Sequence, residues 1–441
     1  MRFLIIAANL CTDPYPVYPL GMSVIAAAAE QAGHTVRQFD LLANGRQSLE
    51  GTIAAFHPDA IGISIRNLDT VNSRNRGTAF LQTAFDTVAL CRKLSQAPIL
   101  LGGPGFSLLP EEILKHSGAD YGITGEGETA VVRLLADLES GHPPEQRLIR
   151  GTPGPQSGAL YPDDLLNAYC AETHILSLQT KRGCPFSCLY CSYPALEGHE
   201  IRERDPDDVT GELADLQRRA PDAMFYFVDA VFNDPERRYH TFLRRLRARN
   251  VRVAFAAFLS PFQLTEPDVE LLSSSGMIAA ELGIDASTDE TLRGLGKNFT
   301  FEEARTAAEL LRKHGIGVTT NVMFGGPGET METVRRGIAN LRSLEPAHTL
   351  VFSGIRILPG TPLCRIAEAE GKLPADWTGD QELYYFADGL DPEALHRTLT
   401  EGFRESRFCV YPPDAKNEEL KLLHKFGYAK MRRMKIGGLS S

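Results

Sequence analysis

The sequence predicts an α/β protein: a doubly wound parallel sheet, then a partial barrel of six strand–helix units, then a small, mainly helical C-terminal region. Three observations carry this expectation. Short apolar runs alternate with amphipathic stretches from residue 2 to residue 140. A segment interrupted by Pro and Gly breaks the alternation over 146–173, and the alternation restarts at 174. Parallel strands need crossovers, and helical crossovers cover both faces of the sheet they join. The expected divisions are 1–145, a linker at 146–173, the barrel at 174–365 and the C-terminal region at 366–441.

Taken in order, RFLIIAA (2–8) reads as a buried strand and LGMSVIAAAAEQAG (20–33) as a helix closed by Gly33. Strands follow at 35–40 and 60–66, a helix at 78–96, a strand at 98–103 and a helix at 111–118. YGITGEGE (121–128) runs from a fifth strand into a last helix at 129–140. In such sheets ligands sit beyond the carboxyl ends of the strands. The loops there, GISIRNLDT (62–70), GGPGF (102–106) and GEGE (125–128), let backbone approach a large ligand closely. The first loop has no G-x-G-x-x-G, so a nicotinamide cofactor is not indicated.

In the second half, strands are expected at 174–180, 224–230, 251–258, 277–285, 317–324 and 348–357, with helices at 234–249, 266–275, 301–314 and 330–343 between them. Chemistry on such a scaffold belongs at the carboxyl ends of the strands. Beyond it, 391–408 and 416–435 read as amphipathic helices. The second is basic, with Lys421, Lys425, Lys430, Arg432, Arg433 and Lys435.

The 441 residues carry 46 Lys and Arg against 56 Asp and Glu, a net charge of −10, which argues against general nucleic-acid binding. No apolar run approaches the roughly 18 residues of a membrane span, and MRFLIIAANL is too short for a secretory h-region, so a cytoplasmic protein is expected. Its eight cysteines are then expected to stay reduced.

Three of them fall in KRGCPFSCLYCSYP (181–194): Cys184, Cys188 and Cys191, spaced C-x3-C-x2-C. A structural zinc site needs four closed ligands, and the nearest further candidate is His199. Three thiolates without a fourth suit a 4Fe–4S cluster that leaves one iron open to a substrate or cofactor.

This cysteine pattern, with Tyr190 before the last cysteine, resembles that of radical SAM enzymes. YPLGMSVIAAAAEQAGHTV (18–36), LLGGPGFSLLPEEIL (100–114) and ITGEGETAV (123–131) resemble the Rossmann-like cobalamin-binding domain that precedes many of them. The family resemblance, to cobalamin-binding-domain radical SAM enzymes, spans roughly residues 1–365. It implies a 4Fe–4S cluster on Cys184, Cys188 and Cys191, and S-adenosyl-L-methionine (SAM) against Tyr190, Asp229 and the loop Gly325, Gly326 and Gly328. It places Asp285 where the family has a ribose-binding Glu and Ala286 where it has Ser, so either the shorter Asp285 would reach further or Ser287 or Thr288 would take over. It implies cobalamin near Arg66, Asn67, Gly102, Gly103, Gly125, Glu126 and Gly127. The first loop (9–21) has Asp13 but none of the D-x-H-x-x-G histidine, so the corrin is expected base-off, with no histidine on cobalt and Arg66 or Asn67 at its lower side.

The resemblance implies reductive cleavage of SAM to a 5′-deoxyadenosyl radical, hydrogen abstraction from an unactivated substrate carbon, and methyl transfer from methylcobalamin. It further implies a small-molecule or lipid-like substrate and a one-electron donor such as flavodoxin or ferredoxin. Two other readings stay open: a non-methylating cyclisation, rearrangement or oxidation with the same cofactors, and a non-catalytic corrin- or metal-binding module.

Overall fold

A computed structural model describes residues 1–76, 80–154, 156–344 and 347–425. The first six strands are β1 (Arg2–Ala7), β2 (Thr35–Asp40), β3 (Ala60–Ser64), β4 (Ile99–Gly102), β5 (Tyr121–Thr124) and β6 (Leu148–Arg150). They form one parallel sheet in the order β2-β1-β3-β4-β5-β6. The order reverses between β1 and β3, so the crevice beyond their carboxyl ends is the switch point where ligands bind in doubly wound sheets. Helix Leu20–Gln31 covers one face with Met22, Val24, Ala26, Ala27 and Ala29. Its run of alanines keeps helix and sheet close.

The later strands are β7 (Ile175–Leu178), the paired β8 (Lys181–Arg182) and β9 (Arg202–Glu203), then β10 (Met224–Phe227), β11 (Ala254–Leu259), β12 (Met277–Asp285), β13 (Gly317–Phe324), β14 (His348–Ser353), the paired β15 (Ile355–Arg356) and β16 (Tyr384–Tyr385), and β17 (Cys409–Val410). Seven of them make a parallel sheet in the order β17-β14-β13-β12-β11-β10-β7. The six expected barrel strands are there. The seventh comes from the region read as mainly helical, where β17 pairs with β14 at Thr349–Cys409 and Leu350–Val410. Two residues carry too little periodicity to announce a strand.

The segment read as a linker contains β6 and helix Asp163–Glu172. Leu165 and Leu166 of that helix belong to one continuous apolar core that reaches from Phe3 and Ile5 to Leu176 and Phe225. Tyr161 stacks on Tyr18 at 5.1 Å between ring centroids, and Tyr169 donates a 2.9 Å hydrogen bond to buried Asp40. Each fully buried leucine contributes about 1.5–3 kcal/mol, so this stretch fastens the two sheets to each other instead of merely spanning between them. Of the basic stretch at 416–435, Asn417–Lys425 is helical; Lys430, Arg432, Arg433 and Lys435 lie outside the described residues.

Candidate active site between the two sheets

The carboxyl ends of the two sheets face a common cavity of about 850 Å3, near the upper end of ordinary small-molecule pockets at about 300–1,000 Å3. Its first wall is built from the loops after β1, β3, β4 and β5. Its second is the inner face of β7, β10, β11, β12 and β14 with Arg182, Ser192 and Tyr193 at the two ends of the cysteine loop; Cys184, Cys188 and Cys191, like Tyr190, Asp229 and Asp285, are not among the residues that line it. Arg66, Asn67, Gly102, Gly103, Gly125, Glu126 and Gly127 all line it. Arg66 Nε donates to Asn67 Oδ1 at 2.8 Å, which holds the pair as a unit at the end of β3. Gly103 has φ of 99°, and a Cβ there would lie 2.6 Å from the Ile65 carbonyl oxygen. Only glycine lets the loops after β3 and β4 touch and leave the crevice open. Among the described residues no histidine lines the cavity.

Glu126 has a task that the sequence reading did not foresee. Its carboxylate accepts from Arg182 Nη1 at 3.0 Å and lies 2.5 Å from Arg202 Nη2, and Arg182 Nη2 lies 2.6 Å from Glu128 Oε1. The last is a close charge pair without hydrogen-bond alignment. Burial alone would raise the Glu126 pKa, but the two guanidiniums outweigh it and hold the carboxyl below its ordinary value. Glu126 thus binds the β8–β9 hairpin, which carries the cysteines, to the first sheet.

The cysteine loop is supported at every turn. Gly183 (φ 93°) has no room for a Cβ, which would stand 2.0 Å from the Glu200 carbonyl oxygen. Cys184 N donates to Gly198 O, Leu189 N to Leu295 O, and Leu363 N to Leu189 O. Beneath the loop, Lys181 is buried and donates to Asp234 at 2.7 Å and to the Phe232 carbonyl at 2.6 Å. Asp229 is wholly buried and accepts from Thr180 N (2.7 Å), Thr180 Oγ1 (2.5 Å) and Lys181 N (3.2 Å). Both its oxygens therefore hold the strand end that launches the loop.

Cys184, Cys188 and Cys191 are all free thiols. Burial raises the Cys184 pKa and pushes that of Cys191 up to about 12, so metal binding there must displace protons. His199, the one nearby candidate for a fourth ligand, is exposed. Among the described residues, the one trio of His, Cys, Asp or Glu ligand atoms within 4.8 Å of one another is Glu266, Glu270 and His314, on the outside of the barrel. A mononuclear zinc site draws its ligands tighter than that; three thiols held wider apart fit a cluster.

Asp285, at the end of β12 with φ of 65°, pairs with Lys297. Lys297 is also within hydrogen-bonding reach of the Cys188 thiol and lies over the Tyr190 ring, 5.5 Å from its centroid. Burial would lower the Lys297 pKa, but Asp285 and Cys188 more than offset this and keep it raised and charged. Tyr190 is hydrogen-bonded to Asp285, and burial holds its phenol well above the ordinary value. The expected Tyr190 and Asp285 are thus brought together, with Lys297 as a member the sequence reading missed.

Ser287 is 1% exposed, and its hydroxyl packs against the backbone at Gly337 of helix Met331–Ser343. Thr288 beside it caps the helix that follows. Gly325 (φ 105°) and Gly326 are buried behind Phe386, Ile355 and Leu295, while Gly328 (φ 82°) is exposed. Glu329 next to them is buried, accepting from Thr333 Oγ1 at 2.6 Å and from Gly325 N at 3.3 Å, and burial pushes its pKa up to about 7.

A switch-point crevice facing a barrel mouth that carries a three-cysteine loop is the layout of a radical SAM enzyme built onto a corrin-binding domain. Comparison with known proteins agrees: residues 7–135 match the B12 binding domain and residues 178–338 the radical SAM superfamily, and the chain belongs to the cobalamin-binding-domain radical SAM enzymes. It is 24% identical to tryptophan 2-C-methyltransferase of Streptomyces laurentii, over 78% of this chain and 71% of that one. It is 25% identical to hopanoid C-2 methylase of Rhodopseudomonas palustris (strain TIE-1), over 76% of this chain and 64% of that one. The solved structure of the radical S-adenosylmethionine methyltransferase TsrM from Kitasatospora setae, with cobalamin and a 4Fe–4S cluster bound, superposes with a TM-score of 0.84 at 22% identity, covering 99% of this chain and 98% of that one. Among the described residues no helix is long and apolar enough to cross a membrane.

Proposed function

We propose that this chain transfers a methyl group to an unactivated carbon of a small molecule held in the shared cavity. The carrying observation is that one cavity runs from the corrin-side loops to Ser192 and Tyr193, next to Cys191, so a substrate inside it lies between the two. When bound, the cluster and SAM supply a 5′-deoxyadenosyl radical and the corrin supplies the methyl group. Cys184, Cys188 and Cys191 would hold the cluster. The loop Gly325, Gly326 and Gly328, with Tyr190 and Asp285, would surround SAM.

The chain's own contribution is placement and exclusion of water. Asp229 and Lys181 fix the loop from below, and Glu126 with Arg182 fixes it against the first sheet. Arg66 and Asn67 line the crevice that would hold the corrin. That relatives are named as methyltransferases supports the reading.

The test is anaerobic purification and reconstitution, with about four irons and one cobalt per chain expected, followed by a substrate search. A product heavier by one methylene, formed together with 5′-deoxyadenosine, supports radical methylation. A methylated product without 5′-deoxyadenosine would remove hydrogen abstraction from the scheme, and an unmethylated product would remove methyl transfer.

A further inference from the structure

One carboxyl group inside the cavity, Glu281, is held by two neutral donors and no cation. Strand β12 alternates: Ala280, Leu282 and Ile284 are buried toward the helices, while Ala279, Glu281, Gly283 and Asp285 face the barrel interior. Glu281 lines the cavity. Tyr226 Oη donates to its Oε2 at 2.8 Å and Asn321 Nδ2 donates to its Oε1 at 2.5 Å. Both donors are neutral. By contrast, Glu126 and Glu128 pair with Arg182, and Asp69 pairs with Arg356. Among the described residues Glu281 forms no ion pair, and the nearest charged influence on it is another acid, Asp285.

The surroundings narrow what such a group recognises. Two donors aimed at two different oxygens leave the carboxylate an acceptor on both, with its remaining lone pairs toward the cavity. Burial without a cation raises the Glu281 pKa and favours its proton-bearing form, so a ligand that brings a positive charge would draw out the carboxylate. The adjoining walls are aromatic: Tyr15, Tyr193, Tyr226, Phe258 and Phe352 line the same space. Tyr226 and Phe258 meet edge to face with centroids 5.3 Å apart. Aromatic faces attract both flat apolar bodies and cations.

We infer that Glu281 is the recognition point for a protonated nitrogen carried on an aromatic body, which makes an arylalkylamine the substrate class of this cavity. The inference rests on the reading of the cavity as the substrate chamber. It is tested by equilibrium binding of tryptamine and of 3-ethylindole, which has the same ring and no charge, to the chain with and without its cofactors loaded.

Tryptamine is expected to bind tighter by about tenfold or more, the scale of a desolvated charge pair. Glu281→Gln is expected to abolish that preference while Tyr226→Phe, which keeps the carboxylate, retains most of it. Equal binding of the two probes, binding of neither, or a preference that survives Glu281→Gln in a variant with unchanged circular dichroism overturns the assignment. Because no turnover is scored, that failure with iron, cobalt and SAM cleavage intact leaves the proposed function standing. Failure to load cobalt or iron counts against the proposed function instead.

Discussion

Glu126 and Arg182 meet at 3.0 Å across the boundary between the two sheets, one from the loop after β5 and the other two residues before Cys184. Their side chains are 7% and 12% exposed, so this is a largely desolvated pair. It ties the position of the cysteine loop to the conformation of a loop on the corrin side.

Arg182→Met leaves Glu126 with Arg202 and strips Glu128 of its close charge partner. Loss of one partner from a buried pair costs about 3–5 kcal/mol. Glu126→Gln leaves Arg182 beside Glu128 and should cost less. Urea unfolding of the two variants is expected to rank them in that order, and iron retention on dilution should follow the same ranking.

Replacing Cys184, Cys188 or Cys191 by Ala is expected to remove the cluster, since each would supply one of its three protein ligands. Iron and sulfide analysis after reconstitution reads this directly. Cobalamin binding, measured on the same samples, should survive, because the crevice residues are unchanged.

Lys297→Met leaves Asp285 without its cation and removes a positive charge beside Cys188. A positive charge near a cluster favours the reduced, more negative state, so the midpoint potential should fall. Lys297→Arg should restore most of it. Redox titration followed by electron paramagnetic resonance decides the matter; an unchanged potential in the Met variant would show that Lys297 only braces Asp285.

Glu329 gives a pH signature. Its folded pKa of about 7 lies above the ordinary carboxyl value of 4.5, so the folded state holds the proton more tightly than the unfolded state. Its stabilising contribution is full below about 4.5 and is lost as the pH rises through 7, amounting to about 3 kcal/mol at most. Glu329→Gln should flatten the dependence of unfolding free energy on pH over that window.

Both sheets were legible because their strands are long enough to show period: β1, β12 and β13 are read directly from apolar runs and alternation. The three cysteines announced themselves by spacing. What escaped was set by partners distant in sequence. Lys297 lies twelve positions past Asp285 and earns meaning only when β12 and the following turn fold back on the cysteine loop. Glu281 did leave a signal, an acid at the fourth position before Asp285 on a strand, where period two puts both on one face. Arg182 stood beside Cys184, but its partner Glu126 is 56 positions away.

The pairing of β17 with β14 sets a timetable for synthesis. A ribosome delivers β14 long before Cys409 and Val410 exist, so for that interval the nascent chain presents a bare strand edge at Thr349 and Leu350. The growing polypeptide is therefore open to mispairing with a neighbour until Cys409 and Val410 emerge, and truncations upstream of Cys409 should aggregate even though they retain every cysteine of the loop.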